Sequence, residues 1–197
     1  MTEQSYDLRT REGFLQRTAE TTDRRIPVMF REATTDNAEV LAWCEAFTAS
    51  SPSLLILGPT GVGKTHIAYS AIRLLAARGI PVKWEALTAP DLYARLRPRD
   101  GVDSEGEFRT VADCELLMLD DLGAAKASEW TEEVNYRLVN YRYDRALPML
   151  LTSNLPRTAD KGKPSLTLAL GDRVMSRIAG MVGEPVVLRG TDRRRPS

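Results

Sequence analysis

The stretch LLILGPTGVGKTHIAYSAIRLLAARG, residues 54–79, runs from four consecutive apolar residues through a glycine-rich turn into a segment with apolar residues at helical spacing. Gly58, four intervening residues, Gly63, Lys64 and Thr65 complete the pattern G-x-x-x-x-G-K-[ST]. It stands where its mechanism needs it, after an apolar strand and at the start of an amphipathic helix. Glycines in such a loop let backbone amides face inward around phosphates with no Cβ in the way, and the helix N-terminus adds amides and a favourable dipole. Gly58, Pro59, Thr60, Gly61, Val62, Gly63, Lys64 and Thr65 are therefore the expected cradle of a nucleotide such as ATP. Lys64 would reach the β- and γ-phosphates and Thr65 would coordinate magnesium. The competing reading, a glycine-rich strand-to-helix turn without a ligand, accounts for the glycines but not for the adjacent lysine and threonine.

Working outward, short apolar runs alternate with helical ones. Residues 53–57, 81–86, 115–119, 148–153 and 184–189 read as strands, and 64–78, 88–97, 129–143 and 166–181 as helices. This alternation predicts an α/β fold: a mostly parallel five-stranded sheet with helices on both faces, a three-layer αβα sandwich. Ligands in such sheets bind beyond the carboxyl ends of the strands, which directs attention to the loops after Leu57, Leu119 and Ser153.

The second of those loops follows ELLMLDDLG, residues 115–123, where Asp120 and Asp121 end an otherwise apolar run. A carboxylate at a buried strand end is costly unless a metal or a donor compensates it. With Thr65 already placed, Asp120 suits the magnesium shell, and Asp121 is positioned to orient or deprotonate the water attacking a γ-phosphate. Many such ATPases use glutamate there. Aspartate falls short by about 1.5 Å, and misplacement on that scale costs about a hundredfold in rate, so slow hydrolysis is expected. A turn cap is the other reading of Asp121. In MLLTSN, residues 149–154, Ser153 and Asn154 repeat the logic: a neutral amide there can hydrogen-bond the γ-phosphate or the water, although Asn and Ser before LP also make an ordinary turn. Farther on, Arg173 and Arg177 share one helix face. They form either a solvated basic face or a cation offered to a neighbouring copy's phosphates.

The remaining sequence sets limits. The 197 residues suit one well-packed domain with a short appendage. Net charge is zero, with twenty-two arginines against five lysines, so nucleic-acid binding would need a local basic surface. Cys44 and Cys114 stand seventy residues apart, which is no metal-site spacing and reads as two reduced, packed thiols. No early apolar run resembles a signal peptide and none approaches the ~18–20 residues of a membrane span. A cytoplasmic protein with no membrane partner is expected. Residues 1–29 are polar, with a weakly helical patch around Phe14 and Leu15 that would dock on a partner or on the main body. Residues 37–47 read as a helix capped by Asp36 or Asn37, with Val40, Leu41, Cys44 and Phe47 turned inward.

From about Phe30 to Arg194 the chain resembles the ATPase domain of the bacterial and phage helicase loaders of the AAA+ superfamily, and the closely similar ATP-dependent helper proteins of insertion-sequence transposition. The matching stretches are GPTGVGKTHIA for Walker A, LLMLDDLG for Walker B, TSN for sensor 1 and LGDRVMSRI for the arginine-finger box, in the family's order, followed by the similar ending VVLRGTDRRR. The resemblance implies a P-loop NTPase of the AAA+ type without a C-terminal lid, spanning 30–194 after a partner-binding segment 1–29 and before a tail 195–197. It implies ATP and magnesium at Lys64, Thr65 and Asp120, a catalytic acid at Asp121, a sensor at Asn154, and a trans-acting finger at Arg177 with Arg173 as second contact or support. Its partners would be further copies through shared ATP sites, single-stranded DNA and a hexameric replicative helicase. Helicase loading is thus the main expectation, with a transposase-recruiting helper as its alternative and a small-molecule kinase as a third, which leaves TSN and DRVMSR without a role. Residues 88–114 fall where the initiator and loader clade carries its insert. Arg95, Arg97, Arg99 and Arg109 there would neutralise DNA phosphates, with Tyr93 and Phe108 for stacking; an ordinary solvated loop between the second and third strands is the other reading.

Overall fold

The computed structural model describes residues 10–160 and 162–193. The sheet joins β1 (Leu54–Leu57), β2 (Trp84–Thr88), β3 (Leu116–Asp120), β4 (Met149–Ser153) and β5 (Val186–Val187) in the order β2-β3-β4-β1-β5, every pair parallel. The apolar runs are continuous because both faces are covered. Leu55, Leu57, Leu117, Leu119 and Leu151 pack under one helical layer, and Leu54, Ile56, Leu116, Met118 and Leu150 under the other. Burying each leucine contributes about 1.5–3 kcal/mol.

The first layer holds α4 (Ala89–Leu96), α5 (Ser104–Ala112), α6 (Glu129–Asp144), α7 (Leu166–Leu170) and α8 (Asp172–Met181); the second holds α2 (Ala38–Glu45) and α3 (Lys64–Ala77). Asn37 caps α2 through its side chain, and Ser128 with Thr131 closes a capping box on α6. The helix expected near Phe14 is α1 (Arg11–Arg25). It lies on the main body, with Asp23 paired to Arg73 of α3 at 2.9 Å, the Arg25 guanidinium 4.2 Å from the Trp84 ring and Ile26 in the core. Among the described residues no helix is long and apolar enough to cross a membrane.

Three expectations need correction. The strand expected at 81–86 begins only at Trp84, beyond Pro81, which has no N–H for a ladder, and continues to Thr88. The helix expected over 166–181 is two helices, because Gly171 at φ 81 ends α7 and opens α8 in a new direction. Residues 88–114 hold a second helix, α5, capped by the Asp103 side chain.

Below the sheet, Arg142 of α6 is fully buried. It donates to the carbonyl oxygens of Ala112 (2.9 Å), Cys114 (2.8 Å) and Pro148 (2.6 Å), while its Nε has no partner among the described residues. Burial lowers its pKa from the usual arginine range. A buried ion pair can often be exchanged for apolar residues, but here the acceptors are backbone and cannot be exchanged with it. Arg142→Met is expected to destabilise the fold by about 3 kcal/mol, the cost of stranded carbonyls exceeding the gain from removing a buried charge. Urea unfolding at equilibrium checks this, and a midpoint matching the parent's would refute it.

Candidate functional site

The carboxyl ends of β1, β4 and β3 lie side by side, so the loop after Leu57, the residues after Ser153 and the pair Asp120–Asp121 converge. Gly58 to Gly63 leave β1, and α3 begins at Lys64 with Gly63 as its cap at φ 101, a backbone conformation that residues with a Cβ rarely adopt. The helix therefore starts with its free amides at the loop, a ready anion site.

Lys64 is buried. Its Nζ donates to the carbonyl of Pro59 at 2.8 Å and to Asn154 Oδ1 at 2.6 Å, bridging loop and β4. Thr65 Oγ1 lies 3.1 and 3.0 Å from the two carboxylate oxygens of Asp120. Asn154 Nδ2 donates to Asp121 Oδ1 at 3.2 Å. Two hydrogen-bonded groups, Lys64–Asn154–Asp121 and Thr65–Asp120, thus meet at three strand ends.

Asp120 is buried, and burial pushes its carboxyl above the ordinary range. Hydrogen bonds from Thr152 and Thr65 pull it back, the Asp121 charge raises it, and Lys64 lowers it. Asp121 is a non-glycine residue at φ 54, and its amide donates to Thr152 Oγ1 at 3.0 Å. Thr152, fully buried on β4, donates to Asp120 and so holds both acids from the strand between them and the loop. Sequence reasoning passed over Thr152; a hydroxyl inside the apolar run MLLTS was the available signal. A cavity of about 360 Å³ opens beside the loop, lined by Met29, Phe30, Gly61, Gly63, Lys64, Thr65, His66 and Arg193. Phe30 stacks on Tyr69 with ring centroids 5.0 Å apart. Phe30, His66 and Arg193 carried no sequence signal as lining residues.

The two α8 arginines differ. Arg173 is exposed, whereas Arg177 is half-buried, donating from Nε to Asn140 Oδ1 at 2.6 Å and lying 5.0 Å from the Tyr136 ring. Among the described residues its polar partners are on α6 and α8, not on the loop. The basic set over 88–114 is not brought together as expected. Arg95 is paired with Glu107 (2.5 Å) and Glu85 (3.6 Å), and Arg109 with Glu105 (3.3 Å). Tyr93 is buried against Asn135, and Phe108 is buried under Arg137, so neither ring is open to a base. Arg97 and Arg99 are exposed on the turn after α4.

Comparison with known proteins gives the family and the fold. The model of a family described as IstB-like ATP binding protein matches residues 26–184. The ATP-binding protein of insertion sequence IS5376 from Geobacillus stearothermophilus is 34% identical over 110 residues, 55% of this chain and 43% of that protein. That of insertion sequence IS21 from Pseudomonas aeruginosa is 29% identical over 134 residues, 66% of this chain and 46% of that protein. The chain spans less than half the length of either relative. Among solved structures, the DnaC helicase loader superposes with a TM-score of 0.72 at 26% identity, over 83% of this chain and 100% of that one. The parallel sheet, its strand order and the three layers are those of the AAA+ class.

Proposed function

We propose that this chain, which belongs to the family of IstB-like ATP binding proteins, is an ATPase that binds target DNA and recruits the transposase of an insertion sequence to it. The reading is carried by the Lys64–Asn154–Asp121 and Thr65–Asp120 network in a chain whose relatives are ATP-binding proteins of insertion sequences.

In this reading the loop amides between Gly58 and Thr65, Pro59 having none to give, cradle the triphosphate, and Lys64 exchanges Pro59 and Asn154 for phosphate oxygens. Thr65 and Asp120 hold magnesium, which supplies positive charge where the γ-phosphate is transferred. The donors fit that ion: one hydroxyl and one carboxylate, hard oxygen ligands with the remaining positions left to phosphates and water. Among the described residues no cluster of three or more metal-ligating side chains would favour a different metal. Asp121 orients the attacking water. Asn154, neutral, passes from Lys64 to the γ-phosphate or the water without adding repulsion. Arg177, with Arg173 beside it, serves the site of an adjoining copy, so hydrolysis depends on assembly. Arg97 and Arg99, with the exposed Arg109, are the arginines of the 88–114 region available to DNA phosphates, Arg95 being paired with both Glu107 and Glu85. The ATPase unit comprises 30–194, with 1–29 contributing a surface for protein partners and 195–197 a tail.

The similarity to the DnaC helicase loader favours a second reading, delivery of a replicative helicase to single-stranded DNA. Affinity purification of the tagged chain from its host in MgATP, with Lys64→Ala as control, separates the two. A transposase retained by the parent and lost from the control is the expected result. A hexameric helicase in its place would assign the chain to loading.

A further inference from the structure

The residues after β5 run alongside the phosphate loop. Leu188 N–H donates to the carbonyl of Leu57 at 2.7 Å. Its own carbonyl oxygen stands 2.7 Å from where a Cβ on Gly58 would be. Farther along, Asp192 presses its carboxylate on Gly61: Oδ1 and Cγ lie 1.9 and 2.2 Å from the position of a Gly61 Cβ, and only a glycine admits that approach. The Arg193 N–H donates to the carbonyl of Gly61 at 3.1 Å. The Arg193 guanidinium reaches to 3.7 Å from a Gly63 Cβ position and lines the same cavity as Lys64 and Thr65. Leu188, Asp192 and Arg193 thus meet Gly58, Gly61 and Gly63 in order, a strap laid along the loop.

An amide-rich loop at a helix N-terminus attracts anions, and Asp192 is an anion already lying on it. A nucleotide brings two or three further negative charges to the same loop. At these separations, in a partly buried site, like charges repel far more strongly than in bulk water. We propose that Asp192 is an autoinhibitory carboxylate: it rests against Gly61 of the phosphate loop and must withdraw with its strap before phosphates occupy the loop. The ligand class is a nucleoside di- or triphosphate, so the proposal rests on the reading of Gly58–Thr65 as the nucleotide site. Asp192 sets the affinity of that site from outside the loop, and Arg193 offers the incoming phosphates a cation as the carboxylate leaves.

Calorimetric titration of the full chain with MgADP tests this. Asp192→Asn keeps the shape and removes the charge, and is expected to tighten binding about threefold to tenfold, while Arg193→Ala weakens it. In the parent, saturating MgADP should speed hydrogen exchange of the peptide containing the Arg193 amide, because its bond to Gly61 opens. Binding by the parent with unchanged or weaker affinity in Asp192→Asn, or with slower exchange at Arg193, overturns the strap and leaves the nucleotide site standing. A parent that binds neither MgADP nor MgATP overturns the site and the strap together.

Discussion

Arg177→Ala is expected to bind MgATP with nearly parental affinity and to hydrolyse it about a thousandfold more slowly, the low end of what an arginine finger contributes to turnover. The reason is positional. Arg177 spends its hydrogen bonds on Asn140, Tyr136 and the Arg173 carbonyl, and no phosphate-loop atom is among its partners within the described residues. A residue so placed acts on phosphates only when another copy supplies them. Subunit mixing gives the decisive measurement, at concentrations that permit assembly and with single-stranded DNA present. Combined with Lys64→Ala, which carries an intact Arg177, the Arg177→Ala subunits keep an intact nucleotide site and acquire a finger from their neighbours. Activity should rise above the sum of the two separate variants. If mixed oligomers form and activity stays at that sum, the trans arginine is rejected. The same assay on Arg173→Ala tells which side chain is the finger. Arg173 is the more exposed, whereas Arg177 is held ready by α6 and would have to release Asn140 to extend.

Lys64→Ala is expected to weaken MgATP binding about a thousandfold. A buried ammonium bridging two phosphate oxygens makes two charge-assisted hydrogen bonds, each contributing about 1.5–3 kcal/mol, and 1.4 kcal/mol is a factor of ten. The lysine is buried beside Asn154 and Pro59, so the variant also leaves Asn154 Oδ1 without that donor. Circular dichroism must show the fold intact before the calorimetry is read. Parental affinity in a folded Lys64→Ala protein would end the Walker A assignment. Asp121→Asn is the informative partner in this experiment. Asparagine tolerates the left-handed backbone that Asp121 adopts at φ 54, so the substitution changes charge without adding strain. It should retain ATP and lose most hydrolysis; undiminished turnover would make Asp121 a turn residue only.

Where the sequence carries a local signal, the structure follows it. The turn from Leu57 to Lys64 is written in glycines, and the strand ends at Asp120 and Ser153 are polar residues interrupting apolar runs. Helix termini were legible where a capping side chain marked them, as at Asn37. What stayed hidden depends on distant pairing. Arg95 reads as free charge until Glu107 and Glu85 are brought beside it by α5 and β2. Tyr93 and Phe108 read as exposed aromatics until α6 covers them. Gly171 lies inside a run of helical periodicity, and only its positive φ separates α7 from α8. Thr152 was missed because a threonine suits a strand whether or not its hydroxyl has work to do.

The buried guanidinium of Arg142 bears on alignment as well as on stability. Its acceptors are the carbonyls of Ala112 and Cys114, just ahead of β3, and of Pro148, just ahead of β4. In a parallel sheet whose strands are near-uniform leucine and methionine, side-chain chemistry discriminates weakly between β3–β4 pairings offset by two residues, which keep the same faces inward. Such a slip would carry one set of carbonyls about 6.6 Å along the strand axis, out of reach of a cation that already touches the other. The mispaired sheet would then leave a buried guanidinium short of acceptors where the two strands begin. Arg142 therefore acts as a gauge for the two strands, and the same alignment fixes Asp120 beside Thr152 at their far ends, so that proofreading at the floor of the molecule determines whether the acids meet the loop at its top.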